Sequence, residues 1–204
     1  MTLTSQAVLA ELDSVLQEKP DSWRGTALRQ IVDLFLSGSD HYGTEQVDVF
    51  DEVIVRLIQK LDRVQLAELS NQLAPVEKGP TKVYGRLARH PDAAVCGPVI
   101  DQGKGLPDSD ILALIDKDRV DINLLLRIAK RPILSAPVTD VLLKRGNKAT
   151  QRIIIDNPNA RISEGGFARV IMGLNDDKDL AAAIAKRDDV PPELRVWLDK
   201  TLSE

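Results

Sequence analysis

Residues 44–61, TEQVDVFDEVIVRLIQKL, decide the fold class. Val47, Phe50, Ile54, Leu57 and Leu61 recur every three or four positions. That interval returns a side chain to the same face of an α-helix, so the five make one apolar stripe. Glu45, Asp48, Glu52, Arg56 and Gln59 fall on the other face. Upstream, Trp23, Ala27, Ile31, Leu34 and Phe35 form a second stripe that runs out at Ser37-Gly38, where glycine is expected to take a left-handed C-cap. Residues 7–16 read as an earlier helix stopped before Pro20. Downstream, Asp62 with Gln65 resembles a capping box and opens a helix through Leu73. Pro75 and Gly79-Pro80 then break the chain, which places a division near residue 78.

Beyond residue 80 the helices shorten and one motif returns. Leu87-Ala88-Arg89-His90-Pro91 is followed by Ile128-Ala129-Lys130-Arg131-Pro132 and Ile184-Ala185-Lys186-Arg187-Asp188, with a weaker copy at Ile154-Ile155-Asp156-Asn157-Pro158. Each copy reads as a helix end: basic side chains suit the negative end of the helix dipole, and proline cannot continue the helix. New helices open at Leu106-Pro107-Asp108, Ser135-Ala136-Pro137, Ser163-Glu164 and Pro191-Pro192-Glu193, where serine offers a cap oxygen and proline suits the first turn. The stops at Pro91, Pro132, Pro158 and Asp188 lie 41, 26 and 30 residues apart. Helical hairpins of that irregular size predict an all-α chain of about twelve helices. A helical bundle over 1–78 is expected to pack on an irregular, HEAT-like solenoid over 79–204. Hairpin signals between alternating runs are missing, and with aromatics at 3% a sheet is not expected.

Composition narrows the function. At 204 residues, with 43% apolar side chains, the chain can bury a core unaided. No apolar run approaches the roughly 20 residues of a membrane span, so no membrane role is expected. Residues 1–12 lack a basic segment ahead of an apolar one, which predicts no secretory leader. The single cysteine, Cys96, fits a reducing cytoplasm. The net charge of −4 conceals a gradient: −6 over residues 1–78, +5 over 79–152 and −3 over 153–204.

Catalytic and cofactor chemistry finds little purchase. His41, His90 and Cys96 lack the spacing of a zinc site, and no serine sits in a nucleophile elbow. Gly103-Lys104-Gly105 lacks the ending of a phosphate-binding loop and reads as a turn. Asp176, Asp177 and Asp179 read as charge at a helix start, and Gly165-Gly166 as small residues that permit close helix packing. No catalytic residue, metal or cofactor is expected, and the chain is read as a non-enzyme.

Several stretches resemble the alphaproteobacterial family called domain of unknown function 2336. They are residues 28–38, LRQIVDLFLSG, and 45–53, EQVDVFDEV, then Ala67-Glu68-Leu69-Ser70, Arg86-Leu87-Ala88, Thr139-Asp140-Val141-Leu142 and Gly165-Gly166-Phe167-Ala168-Arg169. The resemblance implies a bacterial cytoplasmic protein and is compatible with helical repeats. It transfers no activity to a named residue.

The functional colour lies in the basic middle. Lys82, Arg86 and Arg89 share one helix face, and Arg127, Lys130 and Arg131 do likewise. Stacked helices would join them into a strip. The competing reading is helix-terminal charge on a solvated face. The expectation is an interaction module that binds a protein partner in bacterial signalling or assembly. Nucleic acid or an anionic nucleotide ligand on the same strip is the alternative, and self-association is compatible with either.

Overall fold

A computed structural model of the chain describes residues 14, 21–116, 120–174 and 177–203. Among them are twelve α-helices, one 3₁₀ turn and no strand; an isolated bridge joins Leu134 to Ala160. The chain is all-α. The helix expected over residues 7–16 lies almost wholly outside the described residues, as does Asp176.

Two compact units divide the chain, Met1–Pro107 and Asp108–Glu204. The first contains α1 (Asp21–Gly38), α2 (Thr44–Leu57), the 3₁₀ turn Ile58–Lys60, α3 (Arg63–Leu73), α4 (Thr81–Ala88) and α5 (Ala93–Gln102). The compositional division near residue 78 falls within it, and helices pack across that point: α2 on α4 and α3 on α5. Of the α2 stripe, Ile54 and Leu57 are fully buried, while Val47 and Phe50 are half-buried.

Phe50 joins Phe35 and Tyr42 in a ring cluster with centroids 5.2–6.1 Å apart. That cluster corrects the reading of Gly38, whose backbone is not left-handed. A Cβ there would fall 2.5 Å from the outer end of the Tyr42 ring, so the glycine lets that ring lie close over the helix end and a larger residue would have to displace it. The second centre of this unit is Tyr84, which is fully buried. Its hydroxyl lies 2.7 Å from the carbonyl of Leu73 and 2.8 Å from that of Val76, and its single proton is shared between the two acceptors. Burial pushes its phenol well above the ordinary tyrosine range.

The second unit contains α6 (Asp108–Ile115), α7 (Ile122–Ala129), α8 (Ala136–Arg145), α9 (Lys148–Asp156), α10 (Glu164–Met172), α11 (Lys178–Ala185) and α12 (Pro192–Ser203). Each packs on the next but one. α6, α8, α10 and α12 form one row, and α7, α9 and α11 form the other. Local caps start many of the helices: Asp62, Asp92, Asp121, Asn147, Ser163 and Asp177 each accept a backbone N–H from the first turn. Asp62 and Gln65 form the reciprocal capping box. Ser135 departs from expectation. Its hydroxyl makes no cap, and Thr139 Oγ1 is the group that binds there, donating within reach of the carbonyls of Ser135, Ala136 and Arg161.

Candidate functional site

The basic positions of the first unit sit on α4, whose start is held from another helix. Asp51 on α2 is buried and accepts from Lys82 N at 2.8 Å and Val83 N at 2.9 Å, which satisfies two N–H groups of the first turn. Burial raises its carboxyl above the usual range, against the pull of those two N–H bonds. With α4 so anchored, Lys82 and Arg86 lie a turn apart and exposed. Lys82 is neutralised within the unit by an ion pair with Glu52, which Arg56 also contacts at 2.8 Å. The Lys82 ammonium, and then Arg56, hold the Glu52 carboxyl below the usual range. Arg89 is exposed and returns a donor to the Gly85 carbonyl at 2.8 Å, capping the end of α4. Arg86 is the exposed cation whose side chain projects from the middle of this face.

The second cluster is divided by burial. Lys130 is exposed, Arg127 is half-buried, and Arg131 is 7% exposed. Arg131 therefore does not belong to the surface strip expected of it. The reason is visible at Arg187, which occupies the same register in its copy of the motif and is likewise buried. All five of its N–H groups are used. Nη1 donates to the carbonyls of Ile155 and Asn157, Nη2 to Ala160 O and Asp189, and Nε to Asp189. Its guanidinium also stacks over Phe167 at 5.8 Å. Asn157, again in that register, donates to the Arg131 carbonyl at 2.9 Å, and Arg161 N binds Leu134 O beside it. This inward position ties one helix end to the next. Sequence reasoning took it for surface charge, although the repeated register held the signal. The three expected contacts of the first cluster lie in one unit and the three of the second in the other.

The model of a family described as uncharacterised proteins conserved in bacteria, DUF2336, matches residues 95–204. The chain belongs to this family. No curated protein and no solved structure matches it. The family segment begins within α5 and takes in the whole second unit, so the two-row packing and the Arg131 and Arg187 positions are family territory. The motifs at 139–142 and 165–169 fall inside it, and those at 28–38 and 45–53 fall outside.

Within the family segment, further basic side chains are engaged locally. Arg145 pairs with Asp116 at 3.2 Å, Lys148 with Asp177 at 3.5 Å and Arg152 with Asp156 at 2.7 Å. Arg152 also reaches the Asp179 carbonyl. Asp177 is a cap, as expected for that acidic run: the Leu180 N–H, and then Lys148, lower its carboxyl. Gly166 is buried against Asp140, where an added Cβ would come within 2.6 Å of the carboxylate, so close packing is the role this glycine serves. A cleft of about 690 Å³ opens between α9 and α11, lined by Arg152, Asp156, Asp179, Lys186, Asp188 and Asp189 among others. Its lining is of mixed sign, and Arg187 at its floor has no donor left for a ligand. Among the described residues, no group of three His, Cys, Asp or Glu could hold a metal ion. His90 accepts from Asp92 N, and Cys96 is half-buried. No described helix is long and apolar enough to cross a membrane.

Proposed function

We propose that this chain is a non-catalytic interaction module of the alphaproteobacterial cytoplasm, built as HEAT-like helical hairpins and binding a protein partner. The observation that carries the reading is the packing of α6 to α12 in two rows, each helix on the next but one. Such packing repeats equivalent helix faces side by side, which is how helical-repeat proteins offer extended surfaces to other chains. The exposed cations offer a charged contact to an acidic partner on each unit separately, Arg86 and Arg89 on the first and Lys130 on the second. Arginine suits that task because its planar fork pairs two oxygens at once.

The test is capture from a bacterial lysate with and without nuclease, using the wild-type chain, Arg86→Glu/Arg89→Glu and Lys130→Glu. A protein should be retained after nuclease, should elute as salt rises toward about 0.5 M, and should bind at least one variant about tenfold less tightly. Loss of all capture on nuclease treatment would replace this reading with nucleic-acid binding. Undiminished capture by both variants would leave those cations as a solvated face.

A further inference from the structure

The last described helix, α12, carries two distinct faces. It packs on α10 and α11, with Leu198 fully buried and Leu194, Arg195 and Leu202 half-buried. Arg195 fastens that side, donating to Val190 O at 3.2 Å and to Arg187 O at 2.6 Å. On the opposite side Val196 is 73% and Trp197 52% exposed. Glu193 and Lys200, both exposed, flank them. At about 100° per residue these four fall within about 100° of arc, so they form a single stripe. An adjacent valine and tryptophan in water differ from a singly exposed apolar residue, and tryptophan is the side chain most often central to an interface.

The order of charges along the stripe selects the occupant. The midpoint between Val196 and Trp197 is also the midpoint between Glu193 and Lys200. Turning a second copy of α12 antiparallel about a two-fold axis at that point sets Val196 of each copy against Trp197 of the other. The same operation sets Glu193 of each against Lys200 of the other. Two-fold symmetry demands this self-complementarity, and like charges at those positions would forbid it. We propose that this face of α12 is a homodimer interface that pairs antiparallel with its own counterpart on a second copy of the chain. The inference is independent of the basic positions on α4 and α7.

The experiment is sedimentation velocity on the full chain over a concentration series, with far-ultraviolet circular dichroism to confirm that each variant folds. One helix per copy gives less than the standard area of about 800 Å² per partner, so a reversible dimer dissociating on the order of 10–100 μM is expected. Val196→Asp should abolish it. Glu193→Lys and Lys200→Glu should each weaken self-association about tenfold or more, because each places like charges opposite one another. An equimolar mixture of those two variants, and the double variant E193K/K200E, should both regain the dimer. A wild-type chain that stays monomeric to about 500 μM overturns the proposal. So do single charge variants that self-associate like the wild type, or a mixture of the two that does not associate.

Discussion

Arg187 has five N–H groups, and three carbonyls and one carboxylate of the fold occupy all of them. A lysine carries a single compact ammonium and cannot reach the same set. Replacing Arg187 by methionine keeps much of the packing volume but strands Ile155 O, Asn157 O and Ala160 O in a buried place. Arg187→Met should therefore cost about 3 kcal/mol, and Arg187→Lys should recover less than half of that. Urea unfolding midpoints check both, and a wild-type midpoint in either variant would remove the staple from the account. By contrast Arg86→Glu should leave the midpoint nearly unchanged, since an exposed charge contributes little to folding. One feature of the sequence, a basic side chain ahead of proline or aspartate, thus covers two different physical situations. Arg131 and Arg187 are buried and Lys130 and Lys186 exposed, because adjacent positions at a helix end point in different directions.

Helix termini show how far local reading reaches. The Asp62–Gln65 box was legible because donor and acceptor lie three residues apart. The cap on α4 was not legible, because Asp51 acts on Val83 across 32 positions of sequence. Within its own helix, Asp51 reads as one more solvated carboxylate. Asp51→Ala should destabilise the fold by about 2 kcal/mol, since two N–H groups at a buried helix start lose their acceptor. Gly166→Ala should also destabilise, because a Cβ there meets Asp140 and Ile162 within 2.6 and 2.9 Å. A thermal melt of each variant decides, and an unchanged midpoint would count against the role given to that residue.

At the scale of the molecule, acid stability follows from carboxylates of opposite behaviour. Glu52, Asp92 and Asp177 are held below their ordinary values by cations and N–H donors. Their stabilisation is fully present above the unfolded-state values and is lost as pH falls through the folded ones. Asp51 is raised by burial, so its ionisation works against folding. That penalty disappears as pH falls through its raised value toward the unfolded one, which partly offsets the others. Stability should decline on acidification between about pH 5 and 3. The decline should be steeper in Asp51→Asn, which removes the opposing contribution. Urea titrations across that range measure it, and a shallower slope in the variant would contradict the assignment. Sequence by itself determined that the chain is all-α and where many helices start, whereas the stripe read along α1 took in Leu34, which is exposed, and left out Leu28 and Val32, which are buried. Helical class and helix starts depend on the 3.6-residue period and on caps within a turn of one another. Only the tertiary structure decided that helices pack on the next but one, that Asp51 caps a distant helix, and that Arg131 and Arg187 turn inward. Burial and long-range hydrogen bonding depend on which helix lies beside which, and local periodicity does not encode that neighbourhood.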